Sequence, residues 1–293
     1  MSFDVELLFR LRKFSVVTER FNKIGSFVSD QFELWQDPSG PLRVLRVGSV
    51  EKRHFRVLLD ENVAVDVLPD RKLVVHATLE MPKSTIEHFV ADQVMPRVLA
   101  QDGEFVLHSA AIRFGGGAIL ILGTSGSGKS TLAASFQFEG YVLMGDDAAI
   151  IATEGVPSAT ALYASLRLFP DSIAALLPDD IVSEDVAHYS EKQRLSIQTS
   201  KGLENESVPL IAIFILAEPT DDAICVTRLS VANACMALLS NSFALDPTDA
   251  KGAHNRLQKA SELAGRIPAY ALEYPRDYTR LREVRQAIVG RLN

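Results

Sequence analysis

The feature that most constrains the fold is the segment Gly123-Thr124-Ser125-Gly126-Ser127-Gly128-Lys129-Ser130, which fits the pattern G-x-x-x-x-G-K-[ST] at every fixed position. The apolar run Ala118–Leu122 before it predicts a buried strand, and Thr131 opens a stretch that is typical of a helix. In a strand–loop–helix unit of this kind, glycines let successive backbone N–H groups point inward at the helix N-terminus. The sequence therefore predicts a nest for a phosphate anion.

The residue types of this loop predict ATP as the ligand, with Mg²⁺ as its companion ion. Lys129 is expected to reach the β- and γ-phosphates as a mobile point charge, and the Ser130 hydroxyl to ligate Mg²⁺. The predicted nucleotide-binding residues are Gly123, Thr124, Ser125, Gly126, Ser127, Gly128, Lys129, Ser130 and Thr131. A chance loop rich in glycine and serine is the alternative, but it would not need the flanking strand and helix.

Two adjacent carboxylates, Asp146 and Asp147, follow the short apolar run Tyr141–Met144 and lie close to Lys129 in the sequence. Adjacent carboxylates repel each other unless a cation lies between them, and Mg²⁺ supplies that charge. One carboxylate can then hold the metal while the other accepts a proton from an attacking hydroxyl. An acidic turn is the alternative, because aspartate is common in turns. The nearby glycine loop favours the functional interpretation, and the residue types leave open which carboxylate has which role.

Charge and composition exclude several other classes of protein. The net charge of −7 and the pI of about 5.4 argue against a nucleic-acid-binding protein, which needs a basic surface. The small basic clusters Arg10–Lys13 and Lys251–Lys259 are interpreted as solvated helix faces. Cys225 and Cys235 have neither the spacing of a metal site nor the density of a disulfide scaffold. Without an apolar run of about 18 residues, the sequence predicts a cytoplasmic protein with no membrane partner.

The hydrophobic pattern divides the chain near residue 102. Residues 1–101 are predicted to form a β-rich N-terminal lobe that ends in a helix over Lys83–Ala100, kinked or split at Pro96. Residues 102–293 alternate strands with helices, which indicates an α/β domain. Strand spacings near ten residues suit an antiparallel sheet in the lobe. The strands predicted there are Leu42–Val47, His54–Leu59, Val63–Val67 and Leu73–Thr78.

The predicted elements of the second domain follow from the same patterns. Its strands are predicted at Glu104–Arg113, Ala118–Leu122, Tyr141–Met144, Leu195–Ile197, Leu210–Leu216 and Ile224–Arg228. Its helices are predicted at Lys129–Phe138, Ser230–Asn241, Ala250–Ala264 and Tyr278–Arg291. The segment Lys201–Ser207 is predicted to be a loop, either an ordinary exposed one or one that covers an acceptor.

Three further cations are candidates for stabilising charge on the transferred phosphate, as an arginine finger does. Arg167 precedes Phe169-Pro170-Asp171, while Lys192 and Arg194 lie together in a second cluster. We take Arg167 and Arg194 as the stronger candidates. The alternative for each is a surface side chain with a solvated head.

His108 lies in Leu107-His108-Ser109-Ala110-Ala111, on the predicted strand before a hairpin at Gly115–Gly117. A strand with histidine, a hairpin, a glycine loop and a nearby Asp-Asp pair together resemble the catalytic domain of HPr kinase/phosphorylase, which is related in fold to phosphoenolpyruvate carboxykinase. The chain also resembles the HPr-kinase-like proteins of peptide-modification gene clusters, including kinases that tailor lasso peptides. The closer likeness lies in Leu107–Ala111, Leu166–Asp171, Pro209–Leu216 and Tyr274–Tyr278.

The resemblance implies an α/β fold with a P-loop kinase core of the HPr kinase and phosphoenolpyruvate carboxykinase type, beside the β-rich N-terminal lobe. It implies that Lys129 contacts phosphates and that Ser130 and Asp147 lie on the metal side. It implies that Asp146 is the catalytic base and that His108 holds or tunes Asp146. It also points to a homo-oligomer. The glycine-rich segment that follows the acidic pair in true HPr kinases has no counterpart here, so neither HPr as a substrate nor a reverse phosphorylase activity is implied.

The sequence thus predicts an ATP-dependent kinase that phosphorylates a serine or similar hydroxyl of a peptide or protein. A kinase for a small-molecule alcohol is the nearest alternative. A nucleotide-controlled binding module without transferase activity is the alternative from another class; in it, ATP would order the lobes and the β-rich region would recognise a partner.

Overall fold

The computed structural model describes residues 14–21, 31–37, 41–163, 165–178, 182–187, 190–195 and 206–292. The chain forms two compact units with a mixed α/β composition. The first unit contains Met1–Asp102 with the short stretches Val186–Ser190 and Ala244–Ala253, and the second contains Gly103–Asp185, Glu191–Phe243 and His254–Asn293. The predictions for Arg10–Lys13, for residues 196–197 and for most of Lys201–Ser207 lie outside the described residues.

The first unit is built on a six-stranded sheet in the order β1-β6-β5-β4-β3-β2. The strands are β1 (Ser15–Phe21), β2 (Gln31–Gln36), β3 (Arg43–Val47), β4 (Phe55–Leu58), β5 (Val63–Leu68) and β6 (Lys72–Thr78). Consecutive strands from β2 to β6 pair antiparallel, as the short spacing predicts. β1 is an exception, because it pairs parallel with β6 at the edge of the sheet.

A helical stretch follows this sheet and is interrupted, although not as predicted. It consists of α1 (Lys83–His88), a π-helical segment (Phe89–Val94) and α2 (Met95–Gln101). The irregular turn therefore precedes Pro96, which lies in the first turn of α2. Proline has no backbone N–H to donate and its ring clashes with the preceding turn of a regular α-helix, so the π-helical turn lies where Pro96 disturbs the helix.

The second unit is built on a nine-stranded sheet. Its main path runs β10-β8-β9-β16-β12-β11-β7, and β18 extends it by pairing with β16 and β17. The strands are β7 (Phe105–Leu107), β8 (Ser109–Phe114), β9 (Gly117–Leu122), β10 (Val142–Gly145), β11 (Ala149–Ala152), β12 (Ser158–Ala161), β16 (Val208–Leu216), β17 (Cys225–Arg228) and β18 (Ala269–Glu273). The central strand β16 is parallel to β9 and β18, whereas the other pairs are antiparallel.

Helices cover both faces of this sheet because its central strands are apolar on both sides. Along β9, Leu120 and Leu122 belong to one core, and Ile119 and Ile121 belong to the other. The first core also contains residues of α5 (Val231–Ser240) and α6 (Ala250–Arg266). The second contains residues of α3 (Lys129–Phe138) and α7 (Leu281–Val289). The sequence of a strand that is buried on both faces is typically a continuous apolar run.

A small three-stranded sheet in the order β13-β15-β14 completes the described strands. It is formed by β13 (Leu166–Leu168), β14 (Ser183–Ala187) and β15 (Ser190–Leu195). The helix α4 (Pro170–Leu176) follows β13 directly. Sequence patterns missed α4 and several strands, namely β1, β2, β11, β12, β13, β14 and β18, most of which are short. Within the described residues, no helix is both long and apolar enough to cross a membrane.

The predicted strand Glu104–Arg113 is wrong as a single element. It divides at His108 into β7 and β8, which lie in different parts of the sheet: β7 pairs with β11, and β8 pairs with β9 and β10. The chain leaves the ladder at His108, whose backbone N–H donates to the carbonyl of Asn241 at 2.7 Å. The segment is apolar and buried on both sides of this break, so periodicity alone could not reveal it.

Candidate functional site

The glycine loop connects the end of β9 to the first residue of α3, as the pattern predicts. Gly128 caps α3 with a φ of 94°, in the left-handed region that glycine adopts without a steric cost. The N–H of Ser127 donates to the carbonyl of Thr124 at 3.1 Å, which closes the turn. The Ser127 hydroxyl is buried and has no hydrogen-bond partner among the described residues. The loop thus holds an unsatisfied polar group at the place where the sequence predicts a phosphate.

Lys129 is folded back onto this loop. Its Nζ donates to the carbonyls of Gly123 at 2.7 Å and Thr124 at 3.0 Å, and only 5% of the residue is exposed. Burial lowers the pKa of Lys129 to about 8, although the charges of Asp146 and Asp147 act in the opposite direction. A bound phosphate would offer this ammonium group an anionic partner in place of two neutral carbonyls.

The acidic pair lies directly after β10, beside the loop in the fold as in the sequence. The ladder between β10 and β8 shifts register between Leu143 and Gly145, and such bulges redirect the chain at the end of a strand. A Cβ atom on Gly145 would lie 2.5 Å from the carbonyl oxygen of Tyr163 and 2.8 Å from Cβ of Ala161. The strand end is therefore held close to a neighbouring segment immediately before Asp146.

Asp147 is bound by a buried arginine. Both Nε and one terminal nitrogen of Arg167 contact Oδ2 of Asp147, with Nε at 3.1 Å. Burial alone would raise the pKa of Asp147, but the charges of Arg167 and Lys192 lower it well below its usual range. Asp147 also has a φ of 80°, which is unusual for a residue other than glycine. Such backbone strain is concentrated at functional sites.

Asp146, in contrast to Asp147, has no arginine paired with it among the described residues. Its side chain is fully buried, and neither carboxylate oxygen accepts a hydrogen bond of normal distance and angle from any described residue. Burial, followed by the charge of Asp147, raises the pKa of Asp146 to about 7, while the nearby Ser130 hydroxyl acts to lower it. An unsatisfied buried carboxylate is costly in a folded protein, so such a group calls for a functional explanation.

His108 contacts the acidic pair through the backbone of Asp147, whereas the resemblance implies that it tunes Asp146. Its Nδ1 lies 2.8 Å from the carbonyl oxygen of Asp147, which can only accept, so Nδ1 carries the proton. Burial and the charge of Lys129 lower the pKa of His108 to about 4, and the ring is therefore neutral at physiological pH. The hydrogen bond from His108 thus holds the backbone carbonyl of Asp147 in place.

Asn241, which the sequence analysis missed, connects His108 to the glycine loop. Its carbonyl accepts from the N–H of His108 at 2.7 Å, and its Oδ1 accepts from the N–H of Gly123 at 3.2 Å. Its Nδ2 donates to the carbonyl of Ala237 at 2.8 Å, which anchors the side chain to α5. A single asparagine at the end of an apolar helix gives no sequence signal for this role.

The remaining predicted cations differ in their relation to the acidic pair. Arg167 lies against Asp147, and its strand neighbour Arg194 pairs with it in register across β13 and β15. Lys192 lies over the ring of Phe169 at 5.3 Å, and its charge lowers the pKa of both Asp146 and Asp147. The structure therefore brings Lys192, the weaker candidate in the sequence, into the electrostatic environment of the site.

Two residues of the segment after β18 also contact the loop region. Arg276 donates to the carbonyl of Gly126 at 2.8 Å, at the tip of the loop. The hydroxyl of Tyr274 lies 3.3 Å from where a Cβ atom would stand on Gly128, a tight contact that adds to the preference for glycine at this left-handed position. Burial raises the pKa of Tyr274 to about 12, and the phenol keeps its proton.

The donor set fits Mg²⁺ when phosphate oxygens complete it. Within the described part of the chain, no cluster of three or more histidine, cysteine, aspartate or glutamate side chains could hold a metal by itself. Mg²⁺ is usually held by one or two carboxylates together with water and substrate phosphates. The adjacent carboxylates of Asp146 and Asp147, with the Ser130 hydroxyl beside them, suit that kind of site.

Comparison with known proteins adds little to this description. No protein-family model matches the chain, and no curated protein matches it. Among solved structures, the chain is similar to the Hpr(Ser) kinase/phosphatase from Coxiella burnetii, with a TM-score of 0.32 and 11% sequence identity over 64% of this chain and 96% of that one. A likeness at this level does not define a function, so the function has to come from the chemistry of the site.

Proposed function

We propose that the second unit binds MgATP at the loop Gly123–Ser130 and transfers the γ-phosphoryl group to a hydroxyl of a peptide or protein. The observation that carries this proposal is the state of Asp146. A carboxylate that is fully buried, unsatisfied and raised in pKa to about 7 stands beside the loop serine. A general base works best when its pKa lies near the working pH, and that is the condition of Asp146.

The two carboxylates divide the work because their surroundings separate their pKa values. Asp147, paired with Arg167, stays ionised and serves on the metal side, while Asp146 accepts the proton of the attacking hydroxyl. Mg²⁺ supplies positive charge that neutralises the phosphates in transfer. A cation held by Ser130 would also lower the pKa of Asp146, and would thereby keep the base ionised over a wider pH range.

The cations of the site suit a reaction that consists of positioning and charge stabilisation. Lys129 moves from the loop carbonyls to the phosphates, and Arg167 and Lys192 stabilise the negative charge of the transferred group. The exposed ring of Phe169, with Lys192 above it, is the surface at which we place the acceptor. The peptide or protein nature of the acceptor rests on the resemblance of the sequence to HPr-kinase-like proteins.

The test combines nucleotide binding with phosphoryl transfer. We expect Lys129→Ala to weaken MgATP binding at least 100-fold, measured by calorimetry on the full chain, because a charge-assisted phosphate contact is lost. We expect Asp146→Asn to bind MgATP within about threefold of the wild type but to lower kcat at least 100-fold, since it removes the base. Transfer is measured with γ-labelled ATP and a library of peptides that contain serine, threonine and tyrosine.

Asp222→Asn is the matched control, because this carboxylate is highly exposed and lies outside the site. Full transfer by Asp146→Asn would show that another group is the base. Labelling of small alcohols instead of peptides would favour the small-molecule kinase. MgATP binding without labelling of any hydroxyl, and with biological activity kept in Asp146→Asn, would favour the nucleotide-controlled binding module.

A further inference from the structure

A chain of hydroxyl groups leads from Thr131, directly after the glycine loop, to a carboxylate at the surface. Thr131 Oγ1 lies 3.1 Å from Ser172 Oγ, which in turn lies 3.1 Å from the hydroxyl of Tyr278. Tyr278 donates to Oδ2 of Asp171 at 2.9 Å. The other carboxylate oxygen of Asp171 accepts from the N–H of Ser172 at 2.8 Å, which fixes the carboxylate in place.

The carboxylate fixes the direction of every hydrogen bond in this chain. Asp171 accepts from the hydroxyl of Tyr278, so the phenol proton of Tyr278 points towards the carboxylate. Burial raises the pKa of Tyr278, and the charge of Asp171 raises it further, so the phenol keeps that proton. The oxygen of Tyr278 then accepts from Ser172, and the oxygen of Ser172 accepts from Thr131. The hydroxyl proton of Thr131 is therefore directed away from the nucleotide loop.

The same chain joins three elements that carry other parts of the site. Thr131 lies in the first turn of α3, whose backbone N–H groups belong to the predicted phosphate nest. Ser172, which is 3% exposed, lies in α4, which begins directly after Phe169 and the strand of Arg167. Tyr278 begins a 3-10 turn two residues after Arg276, which contacts the tip of the loop.

We propose that Ser172 and Tyr278 are positioning residues for nucleotide binding: Ser172 binds the Thr131 hydroxyl and Tyr278 holds Ser172, and together they fix the first turn of α3, so that Thr131 meets the nucleotide only through its backbone. This inference rests on the proposed function, because it assigns a role within that same nucleotide site. It narrows the prediction that Thr131 binds the nucleotide, because it assigns that contact to the backbone of Thr131. Preorganisation of this kind strengthens binding because fewer groups have to be ordered when the ligand arrives.

The first measurement uses the nucleotide-free protein. We expect Thr131→Val and Ser172→Ala each to raise the unfolding equilibrium constant about three- to tenfold, the usual effect of one hydrogen bond. The double variant should be as stable as the less stable of the two single variants, because both changes break the hydrogen bond between Thr131 and Ser172. Additive losses would contradict the hydroxyl chain.

The second measurement is calorimetric titration with MgATP. Ser172→Ala and Tyr278→Phe touch no predicted nucleotide contact, yet we expect each to raise the Kd for MgATP about three- to tenfold. Combining Ser172→Ala with Thr131→Val should add nothing further. The matched control is Ser135→Ala, because Ser135 is a buried serine on α3 whose hydroxyl bonds only to the carbonyl of Leu132 among the described residues. It should lose stability without losing affinity.

The outcomes separate the alternatives. If Thr131→Val weakens MgATP binding while Ser172→Ala leaves it unchanged or strengthens it, the Thr131 hydroxyl is a direct ligand and the proposal is wrong. If none of the three variants changes the Kd, the chain has no positioning role. If the wild-type protein binds no MgATP, the proposed function fails, and the unfolding measurements still decide whether the hydroxyl chain exists.

Discussion

Three aspartates show that the surroundings of a residue decide its chemistry. Asp66, on the sheet of the first unit, accepts two hydrogen bonds from Arg56 at 2.5 and 2.6 Å and a third contact from His76 at 3.0 Å. Asp147 is paired with Arg167. Asp146 has no such partner among the described side chains, and its pKa rises where the other two fall. Two of these aspartates are neutralised by an arginine, and the third remains available for a reaction.

The environment of Asp66 predicts a pH dependence of stability. Burial acts to raise the pKa of Asp66, but the hydrogen bonds and charge of Arg56 lower it below its usual range. Its stabilising contribution is therefore present above the unfolded pKa and is lost as the pH falls through the lower folded value. We expect Asp66→Asn to cost about 3 kcal/mol at pH 7, because it leaves Arg56 without its buried partner. Urea unfolding at pH 7 and pH 3 measures this cost.

Glu33→Gln is the control for this change, because Glu33 also pairs with an arginine on the same sheet but does so at the surface. A surface pair contributes about 0–1 kcal/mol, so little change is expected at either pH. The difference between Asp66→Asn and the wild type should shrink towards pH 3. A difference that stays constant from pH 7 to pH 3 would show that the Asp66 charge is not its source.

At the scale of elements, the site depends on two places where a regular strand stops. The break at His108 frees a backbone N–H for Asn241 and turns the imidazole towards the Asp147 carbonyl. The end of β10 at Gly145 directs the chain into the acidic pair. Both interruptions place polar groups, namely His108 and the acidic pair, at the ends of strands that are otherwise apolar. Irregular strand ends are common next to active sites for this reason.

Gly145→Ala tests the close packing at the end of β10. The added Cβ would meet the Tyr163 carbonyl, a backbone atom that cannot move aside as the end of a side chain can. We expect a loss of about 1–3 kcal/mol in the free energy of unfolding, the usual cost of overpacking, together with reduced phosphoryl transfer as Asp146 shifts. Gly116→Ala is the control, because nothing lies within 4 Å of its added Cβ. Equal stability of the two variants would contradict this description of Gly145.

At the scale of the whole molecule, charge is distributed unevenly. The chain carries a net charge of −7, yet Lys129, Arg167 and Lys192 act together around one loop and one acidic pair. Such a local cluster can attract a polyphosphate that the overall charge would repel. A negative net charge is therefore compatible with a nucleotide at this cluster.

Ligand binding should appear in the stability of the protein. At a free MgATP concentration of 100 times its Kd, we expect stabilisation by about 2.7 kcal/mol and a rise in Tm of roughly 5–10 °C. Removal of Mg²⁺ with EDTA should abolish most of the rise, because the metal neutralises the phosphates beside two carboxylates. Thermal unfolding followed by circular dichroism measures the shift. A rise in Tm of equal size for Lys129→Ala, measured at the same MgATP concentration as for the wild type, would place the nucleotide at another site.

The sequence by itself determined the glycine loop, the helix after it, the strand that leads to the acidic pair, and the antiparallel meander of the first unit. These features are local: each depends on residue types and on periodicity within about ten neighbouring positions. Asp146, Asp147 and Lys129 could be proposed as site residues for the same reason, since they occur within one short stretch with recognisable spacing.

Only the tertiary structure decided how these residues are partnered. The division of a predicted strand at His108, the bond of Asn241 to Gly123 and the chain from Thr131 to Asp171 join positions that are far apart in the sequence. The pairing of Arg167 with Asp147, which leaves Asp146 unsatisfied, is also a long-range choice. The physical reason is that burial and pKa depend on everything that packs around a group, whereas periodicity reports only which face of its own element a residue occupies.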